Sequence, residues 1–189
     1  KIPDATPEII EFVMEFGKKY GYNFEHEATY KKMCLVNDAV YIAYVGEGKH
    51  AGTWDATGAQ FAQPYVFKTL FSREPITFDD MCETKTVTTA LYLDYDENAP
   101  EGEHSYKFVG RAGRFTPILP GCGGGTLLRI KGDKYYAATG TKGYRWLEST
   151  IVQTLGKEGD IDKRYYDAMV DSAVATISKF GDFEWFVSD

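Results

Sequence analysis

The strongest constraint on the fold is a pair of short β-rich runs joined by two polar residues. Met33-Cys-Leu-Val and Ala39-Val-Tyr-Ile-Ala-Tyr-Val flank Asn37-Asp38, residue types that tolerate positive φ in a two-residue turn. A similar pattern follows later, with runs at 126–131 and 134–139 around Gly132-Asp133. Because a two-residue link can join only antiparallel strands, the sequence predicts antiparallel hairpins.

Helical patterns surround these hairpins. Thr6 is a suitable cap and Pro7 suits the first helical position, so a helix is predicted over 7–19, ending near Gly21. Further helices are predicted in the centre and at the C-terminal end, over 64–71, 77–83, 144–155 and 161–180. Strands are predicted over 86–95 and 106–109, and an exposed loop around Trp54 is predicted over 46–58. The apolar segment 183–187 is expected to pack back against the rest of the protein.

The order of these elements predicts an α+β fold rather than regular βαβ units. It combines antiparallel β-hairpins and a sheet with an N-terminal helix, two short central helices and two C-terminal helices. A helix and hairpin region, 1–62, precedes an α+β region, 63–189, and one compact unit is the alternative to two regions.

Composition removes several classes of function. The formal net charge of −7 argues against a chain that coats nucleic acid through its overall charge, although a local basic face is still allowed. Three separated cysteines favour a reducing cytoplasmic setting, and three scattered histidines offer no structural metal site. No apolar run approaches ~18 residues, so no membrane partner is expected, and a start at Lys1 is what a fragment, or a trimmed or processed product, would have.

Two glycine-bearing segments are candidate anion sites. Gly121-Cys-Gly-Gly-Gly-Thr precedes a strand and lacks the strand-to-helix context of a phosphate loop, so a wide turn is favoured. Thr139-Gly-Thr-Lys-Gly-Tyr-Arg-Trp lies where a strand is expected to pass into a helix, and Lys142 and Arg145 add two cations. A glycine-rich junction covered by Trp146 explains the same residues without a ligand.

Cations and aromatic residues alternate in the second half of the chain. Arg129 and Lys131 project to one face of their predicted strand, which suits a nucleic-acid backbone. An ordinary solvated sheet face is the alternative in a net acidic chain. The residues concerned are Arg111, Arg114, Arg129, Lys131 and Lys134, interleaved with Phe108, Phe115, Tyr135 and Tyr136.

Paired carboxylates are weaker candidates. Glu25 with Glu27 and Asp94 with Asp96 each share a face and suit a divalent cation or acid–base chemistry. Acidic residues near turns are usually solvated, and this interpretation is preferred for both pairs. His26 and His104 have no partner for a hydrolase triad and are expected at the surface.

One segment resembles a known enzyme family. Glu27-Ala-Thr-Tyr30, Asn37 and Tyr41 match the spacing of a palm segment of family B DNA polymerases over about residues 24–62. The family's Lys-Lys-Arg is replaced here by Asp38-Ala-Val, so duplex contact at this hairpin is in doubt. The whole chain is similar to the C-terminal portion of the bacteriophage members, through Thr57-Gly-Ala-Gln-Phe, Pro64-Tyr-Val-Phe-Lys-Thr-Leu-Phe, Gly140-Thr-Lys-Gly-Tyr-Arg-Trp-Leu-Glu and Gly181-Asp-Phe-Glu-Trp-Phe-Val-Ser-Asp.

The resemblance implies that 1–62 is the palm edge and 63–189 the thumb-like region of a phage-type DNA-directed DNA polymerase. The family's catalytic aspartates precede this segment, one motif being Asp-Thr-Asp, and neither motif occurs here. The resemblance therefore implies no catalytic residue in this chain, and Mg²⁺ and nucleotidyl transfer belong to the parent polymerase. Expected partners are primer-template DNA and the N-terminal polymerase portion, in the host-cell cytoplasm.

Six residues are the expected DNA contacts: Tyr30, Tyr41, Arg129, Lys131, Lys142 and Arg145. A different class of function stays open beside this one. In it, the chain is a stand-alone phage-derived protein that binds a partner or a small ligand through aromatic pockets, without catalysis.

Overall fold

The computed structural model describes all 189 residues. The strands are β1 (Ala28–Asn37), β2 (Val40–Gly48), β3 (Trp54–Thr57), β4 (Glu83–Asp94), β5 (Tyr106–Ile118), β6 (Thr126–Lys131), β7 (Lys134–Ala137) and β8 (Arg145–Glu148). The helices are α1 (Pro7–Lys19), α2 (Ala59–Ala62), α3 (Pro64–Phe67), α4 (Ser149–Thr154), α5 (Arg164–Ser178) and α6 (Phe183–Val187). A π-helical turn, Lys68–Ser72, and two 3₁₀ turns, Asp79–Met81 and Lys157–Asp160, complete the α+β fold.

The first sheet is antiparallel, in the order β1-β2-β3. The predicted hairpin is confirmed, but its turn lies one residue later than predicted, at 38–39, because Asn37 pairs with Val40. Neither turn residue has positive φ. Instead, the Asn37 side-chain oxygen accepts a 2.9 Å hydrogen bond from the Ala39 amide, a local bond that asparagine favours in turns.

The predicted exposed loop at 46–58 is wrong in its second half, since residues 54–57 form β3 and pair with β2. Trp54 is half-buried, with its ring 5.1 Å from Phe71 and 5.4 Å from Phe186. Burial of that large ring against a core accounts for the strand. The core beneath this sheet consists of Cys34, Ile42, Phe61, Val66, Phe71, Ala173, Ile177 and Phe186.

The second sheet has five antiparallel strands in the order β7-β6-β4-β5-β8. The hairpin predicted at Gly132-Asp133 is confirmed, and Gly132 adopts a φ of 63°. A register shift between Thr86 and Leu91 bends the β4–β5 pair. An additional bridge between Gly125 and Trp146 brings β8 back to the start of β6, so the sheet curls toward closure.

Several predicted boundaries in this region are wrong. The strand predicted over 106–109 runs to Ile118 and includes Gly110 and Gly113. The helix predicted over 144–155 begins only at Ser149, because 145–148 pair with β5 as β8. The helix predicted over 77–83 is a single 3₁₀ turn. In contrast, the predictions of α1 at 7–19, of the short helix from Pro64 and of the long C-terminal helix are confirmed.

Helix α5 packs into both cores. Its second half gives Ala173 and Ile177 to the core of the first sheet, whereas Tyr165 and Tyr166 enter the core of the second. Met169 packs against both cores. The second core also contains Leu91, Leu93, Phe115, Leu127, Ala138 and Trp146.

Residues on both sides of position 62 therefore build the first core. Phe186 of α6 is one of them, which confirms that the C-terminal apolar segment docks back. None of the six α-helices combines the length and the apolar composition that a membrane-spanning segment needs.

Candidate functional site

The hairpin of the first sheet brings Tyr30 and Tyr41 together. Their ring centroids are 6.2 Å apart, and both hydroxyls donate to Oδ2 of Asp55, over 3.2 Å from Tyr30 and 3.0 Å from Tyr41. The Lys1 ammonium lies 4.3 Å from the centre of the Tyr41 ring, a cation–π distance. Burial raises the pKa of the Tyr41 phenol, and the hydrogen bonds with Tyr30 and Asp55 add to that effect. The two tyrosines are therefore held in one hydrogen-bonded unit with Asp55.

Asp55 was not predicted as a site residue because it lies in the segment assigned to a loop. The sequence signal for a strand is weak there, since only Trp54 and Thr57 of Trp54-Asp-Ala-Thr are residue types that strands favour. The turn beside the tyrosines carries no cation, since Asp38 and Ala39 are its two exposed residues.

The β6–β7 hairpin carries a face of cations, Arg129, Lys131 and Lys134, which we call the basic face. Arg129 pairs directly with Tyr136, and Lys131 pairs with Lys134, so all four side chains project from the same side of the hairpin. The Arg129 guanidinium lies 5.8 Å from the centre of the Tyr136 ring. Its Nε is buried without a hydrogen-bond partner. No ion pair of the protein includes a member of the basic face.

The opposite side of the second sheet carries four aromatic residues, Tyr92, Tyr106, Phe108 and Tyr135, which we call the outer aromatic face. Tyr92 pairs with Phe108, and its ring meets the ring of Tyr135 edge to face at 5.3 Å. Tyr106 stacks on Tyr135 at 4.1 Å. Phe115, predicted to belong with these residues, is fully buried in the core instead. Successive side chains of a strand point to opposite sides of the sheet, and Phe115 lies on the core side of β5 rather than on the outer aromatic face.

The anion site predicted at 139–146 has a different geometry. No helix begins there, because the segment connects β7 to β8. Arg145 turns inward: its guanidinium pairs with Glu97 at 2.8 Å and donates to the carbonyls of Tyr95 and Gly124. These bonds fix the glycine-rich turn at 121–125 against the sheet. Lys142 is exposed in the connecting turn, apart from the Arg145 network.

The carboxylate pairs do not assemble a site. Glu25 and Glu27 are exposed, and no group of three or more His, Cys, Asp or Glu side chains is arranged to hold a metal ion. Asp94 is buried and its Oδ1 accepts the Asp96 amide, as expected of turn chemistry.

The surface position predicted for His104 is wrong. Its side chain is 17% exposed, and Nδ1 lies 2.9 Å from Oδ2 of Asp94, outside hydrogen-bond alignment. The imidazole stacks on Tyr106 at the end of the outer aromatic face. His26 is exposed as predicted and contacts Thr29.

A groove of about 710 Å³ lies between α1 and β1, with Met14, Met33 and Phe24 in its largely apolar lining. The predicted site residues thus do not form one site. Tyr30 and Tyr41 pair on the first sheet, Arg129 and Lys131 belong to the basic face on the second, and Lys142 and Arg145 lie apart from both and from each other. No protein-family model, characterised protein or solved structure matches the chain.

Proposed function

We propose that this chain is the C-terminal part of a phage-type DNA-directed DNA polymerase and that it binds primer-template DNA. In this proposal the catalytic aspartates and their Mg²⁺ ions lie in the N-terminal polymerase portion, which is the second partner, and the setting is the cytoplasm of the host cell. The observation that carries the proposal is the basic face, three cations on one side of a hairpin, none of which is in an ion pair.

A net charge of −7 makes the position of these cations important. A DNA backbone is repelled by most of the surface and attracted locally by the basic face, so binding has one preferred location. Lys131 and Lys134 are exposed at the end of the hairpin, where a phosphate meets no steric obstacle from the sheet. Arg129, held by Tyr136, has a fixed guanidinium for a second phosphate.

The tyrosine pair has a supporting role in this proposal. Its phenols are engaged by Asp55, so ring edges rather than hydroxyls face a duplex. Lys142 contributes another cation from the exposed 139–144 turn. Arg145 acts structurally, through Glu97 and the carbonyls that it bonds.

A fluorescence titration of labelled primer-template DNA tests the proposal at two salt concentrations. Wild-type binding is expected to weaken with salt, because phosphate contacts release counterions. The double variant Lys131→Ala, Lys134→Ala should bind DNA more weakly. The slope of the logarithm of its binding constant against the logarithm of the salt concentration should be smaller by about two, since each lysine neutralises one phosphate. Lys49→Ala, an exposed lysine in the β2–β3 loop, is the matched control and should change neither. Absent or salt-independent wild-type binding would overturn the proposal.

The groove between α1 and β1 favours a second candidate function, a stand-alone protein that binds an apolar ligand or partner segment. Its 15 lining residues include 10 hydrophobic ones, and apolar concave sites of this size accommodate small molecules. An environment-sensitive dye such as ANS should brighten with wild type and less with Met14→Gln. The genomic reading frame separates the candidates: an upstream extension that encodes Asp-Thr-Asp favours the polymerase, and a start codon directly before Lys1 favours the stand-alone protein.

A further inference from the structure

The N-terminal helix α1 carries an apolar stripe along one side, which we call the α1 stripe. It consists of Ile9, Phe12, Phe16 and Tyr20, the last being the cap residue of the helix. At 100° per residue, these side chains fall within about 80° of the helix circumference. Neighbouring ring centroids along the stripe are 6.1 Å apart for Phe12 and Phe16 and 4.7 Å apart for Phe16 and Tyr20.

The α1 stripe has no cover in the protein. Phe12 is 68% exposed, Phe16 49% and Tyr20 58%. The opposite, inner side of the helix is the one held by the protein, since the Phe24 ring lies directly against Gly17, the only buried residue of α1. A helix of 13 residues is marginal in water on its own, so packing against the stripe would stabilise it.

The area of the α1 stripe fits a small interface. Since a fully covered aromatic side chain buries about 150–250 Å², the exposed fractions correspond to about 400 Å² on each copy of the chain. Apolar patches of a few hundred Å² commonly mark interaction sites. Two such stripes, with the aliphatic stems of the charged residues beside them, reach the lower limit of specific interfaces, about 1,000 Å² in total. A pairing of two stripes is therefore expected to be reversible and to depend on concentration.

The charges beside the stripe favour a second copy in antiparallel orientation. Glu8 lies near the N-terminal end of the stripe and Lys19 near its C-terminal end, on the same flank, and neither is in an ion pair. The Lys19 ammonium is 5.6 Å from the centre of the Tyr20 ring, at the edge of the stripe. Two antiparallel helices place Glu8 of each copy near Lys19 of the other, whereas two parallel helices bring like charges together. Glu15 lies further around the helix and is exposed.

We propose that two copies of the protein associate through their α1 stripes, with the two helices antiparallel about a two-fold axis near the middle of the stripe. Each copy presents the same patch, as a two-fold dimer requires, so the assembly closes at two copies. The interface lies on α1 and the basic face on the second sheet, so this inference does not depend on the proposed DNA binding.

Sedimentation velocity of the full chain, from low to high micromolar concentration, tests the inference. Wild type should change from the 21.3 kDa monomer to a species of twice that mass as the concentration rises. Phe12→Ala should raise the dissociation constant of the dimer at least about tenfold, because the two-fold axis places this aromatic side chain in the interface twice. Phe108→Ala is the matched control, since Phe108 is 63% exposed on β5, and it should leave that constant unchanged.

Charge reversal tests the orientation of the two helices. Glu8→Lys and Lys19→Glu should each weaken self-association, since each variant puts like charges at both contacts. An equimolar mixture of the two variants should form a dimer again, because both contacts then join opposite charges. The double variant Glu8→Lys, Lys19→Glu should associate as wild type does. Circular dichroism melting curves establish that each variant is folded.

Three results would overturn the inference. A wild-type chain that is monomeric at every concentration rejects a second copy and leaves the N-terminal polymerase portion as the remaining candidate for this surface. Equal weakening by Phe12→Ala and Phe108→Ala rejects a contact specific to α1. Self-association that neither single charge reversal weakens rejects the antiparallel arrangement. The DNA titration is a separate measurement, so each proposal stands or fails by itself.

Discussion

At the residue scale, Asp55 organises the tyrosine pair. A carboxylate that accepts two phenolic hydroxyls makes charge-assisted hydrogen bonds, which are stronger than those between neutral groups. Tyr30 lies on β1 and Tyr41 on β2, so the carboxylate on β3 ties all three strands of the sheet. Burial, together with the hydrogen bonds of Tyr30 and Asp55, raises the pKa of Tyr41, so that phenol stays protonated over the ordinary pH range.

Asp55→Ala is therefore expected to lower the free energy of unfolding by about 1–3 kcal/mol, because two half-buried phenols lose their acceptor. Tyr30→Phe and Tyr41→Phe should each lower the free energy of unfolding by a smaller amount. Double-mutant cycles that combine each of them with Asp55→Ala should give a coupling energy between Asp55 and each tyrosine. Urea unfolding measures all of these. Asp38→Ala, which removes an exposed turn carboxylate, is the control and should change the free energy by less than about 0.5 kcal/mol; an equal effect there would refute the role of Asp55.

A second single-residue effect concerns pH. The Arg164 guanidinium bonds both oxygens of the fully buried Asp162, at 2.8 and 2.7 Å, and lowers the pKa of that carboxyl although burial opposes the change. The stabilisation of the fold by this ion pair is complete above about pH 3.9, the pKa of an aspartate in the unfolded chain. It is lost as the pH falls through the lower pKa of the folded protein.

Asp162→Asn should consequently lower the free energy of unfolding at pH 7. The stability of this variant should depend less on pH in acid, so that its urea midpoint approaches that of wild type below about pH 4. Urea curves at pH 7, 5, 4 and 3 measure this. Asp171→Asn, at an exposed position on α5, provides the comparison. A constant difference between wild type and Asp162→Asn at every pH would contradict the assignment.

At the element scale, the β6–β7 hairpin depends on one residue of its turn. Gly132 has a φ of 63°, a conformation that costs other residues about 1–2 kcal/mol, and nothing lies within 4 Å of a Cβ added there. The cost of a side chain at this position is thus purely one of backbone conformation. The three cations of the basic face lie on this hairpin, so its turn supports the main DNA contacts that we propose.

Gly132→Ala should lower the free energy of unfolding by about 1 kcal/mol, as measured by urea unfolding. Gly159→Ala is a matched control, since Gly159 also has nothing within 4 Å of an added Cβ but lacks positive φ. That variant should be neutral or slightly more stable. Equal destabilisation by the two substitutions would mean that the turn conformation is not the cause.

Elements with strong local signals were predictable from the sequence, and elements defined by distant contacts were not. Thr6 and Pro7 fixed the start of α1, and Gly132-Asp133 fixed the second hairpin. Residues 145–148 have a helical pattern of apolar residues, yet pairing with β5 and burial of Trp146 make them a strand. Likewise, β3 depends on the packing of Trp54 against Phe71 and Phe186, which are distant in sequence.

The same distinction applies to the candidate site. Alternation along β6 was enough to place Arg129 and Lys131 on one face, since strand geometry alone determines it. The inward turn of Arg145 was not predictable, because its acceptors Glu97, Tyr95 and Gly124 come from two other segments. The layer formed by Tyr92, Tyr106 and Tyr135 also requires the pairing of non-consecutive strands.

At the scale of the whole molecule, α5 connects the cores of the two sheets. Its two halves belong to different cores, and Met169 packs against both. Burial raises the pKa of Tyr165 to about 12, and Tyr166 is completely buried. Unfolding of either core exposes part of this helix and weakens the other core.

Trp54 and Trp146 report on the two cores separately, because Trp54 packs against the first and Trp146 lies within the second. A variant with Trp146→Phe and Trp185→Phe isolates Trp54, and one with Trp54→Phe and Trp185→Phe isolates Trp146. In each variant the fluorescence transition in urea should coincide with the far-ultraviolet circular dichroism transition. Two separated transitions would contradict a single cooperative unit.

The place of α5 and α6 in the chain also affects how the protein is made. Strands β1 to β3 leave the ribosome well before Ala173, Ile177 and Phe186, which complete their core and are translated more than a hundred residues later. During that interval only the nearby Phe61, Val66 and Phe71 can cover the inner side of the first sheet, and a nascent chain with an incomplete core is a substrate for chaperones. The last step in the folding of the first sheet thus waits for α5 and α6, and slower elongation before these helices would prolong the dependence on chaperones.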